Sequence, residues 1–295
     1  MAWSDPDSFA TKAFGPYIST IIIATLVAFL LPTLVHFYLY RAKAPTSLPS
    51  FLVLGPSGSG KTSLVTLFES GKPSPTHISQ APSTVQVHLP STTRAGSSQY
   101  RSENDPTLKQ EKPLQLIDTP GHGKLRHYAR EYLQDPPPGL KGIIFVIDAA
   151  NVSSDSSSSA NETLQDAAEY LHDILLLLQK RYTSAKTSKG PKELPVLIAA
   201  NKLDLFTALP APLLKGKLEQ EISRVRDARA KGLMAAGMGE EGSEERDWLG
   251  EGGESKFEFR MMEEVNCPVK VVGGNVLGAE GSDVDGWWGW IAGWL

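Results

Sequence analysis

The run Gly55-Pro56-Ser57-Gly58-Ser59-Gly60-Lys61-Thr62 fits G-x-x-x-x-G-K-[ST] at every fixed position. Glycines at this spacing let the backbone curl until successive N–H groups point inward, forming a nest for phosphate oxygens. Gly55, Ser57, Gly58, Ser59, Gly60 and Ser63 are the expected lining of that nest. Lys61 is placed to reach the β- and γ-phosphates, and the Thr62 hydroxyl to sit on Mg²⁺. A second cluster is Asp118-Thr119-Pro120-Gly121-His122. Here Asp118 suits Mg²⁺, usually through water, and the Gly121 amide suits a γ-phosphate oxygen. A segment so tethered is drawn in while the third phosphate is present and released on its loss. The third cluster, Asn201-Lys202-Leu203-Asp204, lies about 140 residues beyond the phosphate loop. The Asp204 carboxylate can accept from both the ring N–H and the exocyclic amine of guanine, a donor pair that adenine lacks. Asn201 can tie the base loop to the phosphate loop, and the Lys202 stem can lie along the base. GTP or GDP with Mg²⁺ is therefore the expected ligand.

These clusters need strands to present them. Phe51-Leu52-Val53-Leu54, Leu114-Gln115-Leu116-Ile117 and Pro195-Val196-Leu197-Ile198-Ala199-Ala200 run directly into them. Gly142-Ile143-Ile144-Phe145-Val146-Ile147 is continuously apolar, as for a central parallel strand covered on both faces. Val85 to Leu89 alternates like a half-buried strand, and Val269 to Val272 is the last strand. Helical spacing recurs after residue 61, over 123–133, 163–182 and 212–235, and in a Trp-rich close from Asp283 to Leu295. Strands alternating with helices predict an α/β fold of the phosphate-loop NTPase kind: a three-layer sandwich on a mostly parallel sheet, with ligands at the strands' carboxyl ends. Flexible loops are expected at about 90–111, 151–161 and 237–255, the last rich in Gly and Glu. The closing helix has no basic residue to favour a lipid face, so its tryptophans are expected to pack on the sheet.

Ahead of this domain, Ile18 to Tyr40 is 23 residues without Asp, Glu, Lys or Arg. As a helix it would be about 34 Å long, enough for a hydrocarbon core of roughly 30 Å. Tyr17, Phe37, Tyr38 and Tyr40 suit the interfacial aromatic belt. A cleaved signal peptide fits less well, because its apolar core is shorter and its start is basic. Arg41 and Lys43 follow the span, and the positive-inside rule then puts residues 1–17 in the lumen and the domain from 51 in the cytosol, joined by a linker over 41–50. In that topology the acceptor patterns at Asn151 and Asn161 stay unmodified. The net charge of −4 gives no electrostatic footprint for direct nucleic-acid binding. The single cysteine, Cys267, excludes an intramolecular disulfide and reads as a small buried residue.

Asp118-Thr119-Pro120-Gly121-His122 followed by Leu125-Arg126 resembles the D-x-P-G-H-x-x-L-R signature of the beta subunit of the signal recognition particle receptor, a small-GTPase branch near the Arf/Sar group. Ile143 to Ala149 resembles that family's fourth strand. The single N-terminal span, the polar insertion before the last strand and the closing Trp-containing helix resemble it too. The resemblance implies an endoplasmic reticulum membrane protein whose GTP form binds the N-terminal X domain of the receptor's alpha subunit. Through that partner it implies a part in delivering ribosomes with nascent secretory chains to the translocation channel.

Three departures accompany the resemblance. The first-switch hydroxyl for Mg²⁺ could come from Thr76, Ser79 or Thr84, with Ser79 nearest to fungal-type members. The family's guanine-contacting loop is not present as such; Gly273-Gly274-Asn275 follows the last strand and could serve only through backbone amides. His122 stands where many GTPases carry a water-orienting Gln, and either positions water or is retracted at rest, giving very slow turnover. Competing readings are an Arf/Sar-like trafficking GTPase, a GTP-locked scaffold that does not cycle, and a phosphate-loop ATPase or kinase.

Overall fold

In a computed structural model of the chain, residues 18–43, 47–90, 92–94, 96, 112–152, 158–184, 192–235, 249–250, 256–278 and 281–295 are described. The chain divides into two compact units, Met1–Thr46 and Ser47–Leu295.

Among the described residues of the first unit, a helix, α1, covers Ile18–Lys43 with Pro32 inside it. Side chains are described at 21–22 and 24–36, and all of them are exposed, including Ile21, Leu26, Phe29, Leu31 and Leu34. That stretch is shorter than the roughly 20 apolar residues a span requires, and among the described residues no helix is long and apolar enough to cross a membrane. The expected lumenal segment 1–17 lies outside the described residues.

Among the described residues the second unit has six strands: β1 (Ser50–Leu54), β2 (Ser83–His88), β3 (Pro113–Asp118), β4 (Leu140–Asp148), β5 (Val196–Asn201) and β6 (Val269–Gly273). Their order is β2-β3-β1-β4-β5-β6. Only β2 runs antiparallel, against β3. Because strand side chains alternate faces, each central strand feeds two cores. Leu52, Leu54, Ile143, Phe145, Ile147, Val196 and Ile198 point to one side. There they meet α3 (His127–Gln134), α4 (Ser158–Thr183) and α5 (Ala211–Ala235). Phe51, Val53, Ile144, Val146, Leu197 and Ala199 point to the other, against α2 (Lys61–Ser70) and α6 (Asp285–Gly293). The α/β class and mostly parallel sheet are as expected.

The tryptophans of α6 pack inward. Trp287 is fully buried and donates from Nε1 to Val272 O at 3.0 Å, and Trp288 stacks on Phe68 of α2 at 4.0 Å. Trp290 meets Phe51 edge-on at 6.0 Å. This helix therefore fixes β6 and the phosphate-loop helix to one another.

Several boundaries differ from expectation. The region 123–133 is two pieces, a 3₁₀ turn over Gly123–Leu125 and then α3. Helix α4 begins at Ser158, inside the serine run; serine competes well for helix N-termini. The expected loops at 90–111 and 237–255 fall mostly outside the described residues; of 151–161, residues 153–157 do so too, whereas 158–161 are the first turn of α4 and not loop. One boundary is corrected: Leu249 is fully buried and the Gly250 amide donates to Gln179 Oε1 at 2.8 Å. The Leu249 side chain, set in an acidic stretch, joins the core cluster of Phe257, Phe259 and Met262 and so pins those two residues.

Candidate functional site

β1, β3, β4 and β5 end at one edge of the sheet, and every chemistry-bearing cluster lies there. After Leu54 the backbone turns through Gly55, Gly58 and Gly60, which have φ of 141°, 77° and 94°. A side chain at Gly60 would be strained and would also drive into Asn201. Lys61 opens α2, nearly fully buried, and its ammonium donates to Pro56 O at 2.7 Å and to Ser59 Oγ at 3.5 Å. A cavity of about 200 Å³ opens beside it, lined by Ser57, Gly58, Gly60, Lys61, Thr62 and Ser63 from the loop, residues 76–79 opposite, and Gly121. His77 and Ile78 of that wall carry no motif that would mark them in the sequence.

The metal-suited corner is a triangle of oxygens. Thr62 Oγ1 and Ser79 Oγ lie 2.8 Å apart, and they donate to Asp118 Oδ2 at 2.7 and 3.0 Å. Of the three hydroxyls open as alternatives, only Ser79 is in this corner. Thr76 bonds Ser63 Oγ at 2.9 Å instead, and Thr84 sits within β2, paired with Ile117. The other carboxylate oxygen, Asp118 Oδ1, is buried without a hydrogen-bond partner. Two hydroxyls and one carboxylate are hard oxygen donors of the kind Mg²⁺ takes alongside phosphate and water, so these residues fit that ion.

Burial acts on both charges of the site. It pushes the Lys61 ammonium down from 10.5 to about 8, with Asp118 opposing and Arg126 adding to the shift. It raises the Asp118 carboxyl, against hydrogen bonds from Thr62 and Ser79 and the charge of Lys61. Each charge is thus desolvated further than its protein neighbours repay, which suits a ligand carrying both signs, such as a metal-bound polyphosphate. A lysine with a depressed pKa binds fewer protons folded than unfolded between pH 8 and 10.5, so stability rises with pH across that window. Nucleotide-free protein should therefore melt at higher temperature as pH increases from 8 to 10, relative to Lys61→Met, in which that component of the rise is lost.

The segment after Asp118 is fixed at both ends. Thr119 donates to Val53 O from its amide at 3.2 Å and its hydroxyl at 2.8 Å. Gly121 sits so close that a Cβ would lie 2.6 Å from Gly55 O and 2.7 Å from the Pro56 carbonyl carbon. Beyond it, Arg126 bonds Asp166 at 2.6 Å and lies 4.3 Å over the Tyr170 ring, while Arg130 bonds Asp173 at 2.9 Å. These contacts staple the segment to α4. His122 is exposed and lies outside the cavity lining; its Nδ1 accepts from the Lys124 amide at 3.3 Å, capping the 3₁₀ turn.

At the base end, Asn201 bridges loops as expected. Its Nδ2 donates to Ser59 O at 2.9 Å, and its Oδ1 accepts from the amides of Lys202 at 2.8 Å and Val276 at 3.2 Å. Lys202 holds a positive φ of 65°, and its ammonium donates to Gly58 O at 3.3 Å and to Asp148 Oδ2. Asp204 is exposed. The expected role of the Gly274 and Asn275 amides is corrected. Gly274 N donates to Ala200 O at 2.9 Å and Asn275 N to Asp283 O at 2.9 Å, so both are engaged in the fold. The Asn275 side chain braces its own loop, accepting from Asp283 N at 2.7 Å. The chain beside Asp204 is instead at Gly278, where a Cβ would lie 3.4 Å from Asp204 Cβ. Asp148 escaped the sequence reading, although it ends its apolar strand as Asp118 and Asn201 end theirs.

Comparison with known proteins agrees with this geometry. The profile of the signal recognition particle receptor beta subunit matches residues 46–265. The beta subunit from Saccharomyces cerevisiae is 33% identical over 221 residues, covering 73% of this chain and 75% of that protein. Among solved structures, the Chaetomium thermophilum SRb-GTP/SRX complex aligns at 35% identity with a TM-score of 0.68, covering 84% of this chain and all of that one. The SRb-GDP-Mg structure from the same organism aligns at 38% identity and TM-score 0.61, covering 85% of this chain and all of that one. On the profile match and the yeast relative, the chain belongs to the family of signal recognition particle receptor beta subunits.

Proposed function

We propose that this chain is a membrane-anchored, GTP-binding receptor subunit whose GTP form captures the X domain of the alpha subunit. It would thereby serve cotranslational delivery of secretory and membrane proteins at the endoplasmic reticulum. The observation that carries the reading is the convergence of Lys61, Thr62 and Ser79 on one cavity, with Asp118 bonded to both hydroxyls and Asn201 tying the phosphate loop to the base loop. The Chaetomium relatives, named as GTP, GDP and GDP-Mg forms with the GTP form in complex with SRX, support the ligand and the partner.

Gly58 to Ser63 hold the phosphates through the backbone nest, and Lys61 exchanges Pro56 O for the β- and γ-phosphates. Thr62, Ser79 and Asp118 would hold Mg²⁺, which neutralises phosphate charge. Asp204 reads the guanine edge, with Leu277-Gly278 as the neighbouring backbone. Gly121 is the contact that senses the third phosphate, and movement of its segment strains the Arg126–Asp166 and Arg130–Asp173 pairs. His122, occupied with its own turn, leaves water unpositioned, so the protein acts first as an assembly switch and turns over slowly.

Anchoring follows from Ile18 to Tyr40 as one span, residues 1–17 lumenal, 41–50 as linker and the domain from 51 cytosolic. A helix apolar all round, with every described side chain exposed, supports lipid as its surroundings. The guanine reading is tested by competition on the full chain in detergent. GTP should displace labelled GDP at least about a hundredfold better than ATP, since a site built for a donor pair rejects a ligand lacking it; equal competition refutes it.

A further inference from the structure

Strand register places Asp148 directly opposite Asn201, so the carboxylate ending β4 lies one residue from Lys202. The Asp148 side chain is nearly buried and fully committed. Oδ1 accepts from the Ala150 and Asn151 amides at 3.0 and 3.2 Å. Oδ2 accepts from Asn151 Nδ2 at 2.9 Å and from the Lys202 ammonium. The carboxylate is thus locked by its own turn before the lysine reaches it.

Lys202 needs such an anchor. Its φ of 65° is a left-handed conformation that is unfavourable for a non-glycine residue, and its flexible stem has several rotamers to lose. Asn201 Oδ1 fixes its amide, while Asp148 Oδ2 and Gly58 O fix its ammonium from two sides. Held at both ends, the four-carbon stem is stretched between the base loop and the phosphate loop. It then presents a preformed apolar wall against which a purine can lie.

We infer that Asp148 is a positioning residue for nucleotide retention: it touches no ligand and acts by holding Lys202 extended across the base site. This rests on the guanine-nucleotide reading above. Losing a charge-assisted hydrogen bond is worth about a tenfold change in an equilibrium or rate. The ion pair should matter more than an exposed one because Asp148 is nearly buried.

The test is release of N-methylanthraniloyl-GDP from the full-length protein in detergent, chased with excess GDP. Asp148→Asn should accelerate release about tenfold, and Asn151→Ala, which keeps the carboxylate but removes the side-chain donor that shares Oδ2 with Lys202, about threefold. In a Lys202→Ala background each should add less than about twofold, because the lysine they position is gone. A merely structural carboxylate would instead loosen the nucleotide equally with or without Lys202. Wild-type release rates in Asp148→Asn, or its full acceleration persisting beside Lys202→Ala, would overturn the inference. If the unsubstituted protein retains no labelled GDP, the guanine reading itself falls, and the inference with it.

Discussion

Lys61→Ala should weaken GTP binding by at least about a hundredfold and abolish capture of the alpha subunit's X domain in the same step. The side chain is the buried cation of the cavity, 6% exposed, on the first residue of α2. Two phosphates are expected to share it, and each charge-assisted hydrogen bond lost is worth roughly 1.5–3 kcal/mol. Truncation also removes the positive charge that opposes the burial of the Asp118 carboxylate, so the cavity meets a polyphosphate with one cation fewer. Isothermal titration with GTP and pull-down with the X domain read the two effects. Undiminished X-domain capture by a variant that no longer binds nucleotide would break the link between ligand and partner.

Asp204→Asn should move base preference rather than abolish binding. The carboxylate is exposed at the start of the loop after β5, with Gly278 against it. It is therefore open to a base edge and not engaged in holding the fold. Asparagine offers one acceptor and one donor group, which matches the 2-oxo edge of xanthine better than the amine of guanine. Affinity for GTP should fall by on the order of a hundredfold, and xanthosine triphosphate should become the better ligand, because unmatched polar groups at a recognition site are discriminated strongly. Competition between the two triphosphates measures this directly; unchanged GTP preference would remove Asp204 from its role.

Gly55 to Thr62, Asp118 to Gly121 and Asn201 to Asp204 were legible because their chemistry is local. Consecutive residues make the nest, the strand-end acid and the base loop, and the apolar runs ahead of them set the edge where they gather. What depended on distant chain segments was not legible. Choosing Ser79 over Thr76 and Thr84 required knowing how residues 71–82 cross in front of α2, which no periodicity encodes. Asp148 acquires its meaning from a register pairing with Asn201, 53 positions further along the chain. Leu249 is one apolar residue in an acidic run, and only the hollow beside Phe257 and Phe259 makes it core. The Gly274 and Asn275 amides looked free because their acceptors, Ala200 O and Asp283 O, belong to distant positions that only the fold brings alongside. For α1 the inference runs the other way: composition speaks for a span more directly than the described side chains do.

The central claim is that a third phosphate on guanosine decides whether the companion subunit docks. Full-length protein in nanodiscs, loaded with GDP or with a non-hydrolysable GTP analogue, should be titrated with purified X domain by fluorescence anisotropy. The account predicts binding at least about tenfold tighter with the analogue, the scale of a typical coupling between two ligands. Equal affinity in both forms, or for the nucleotide-free protein, would contradict it.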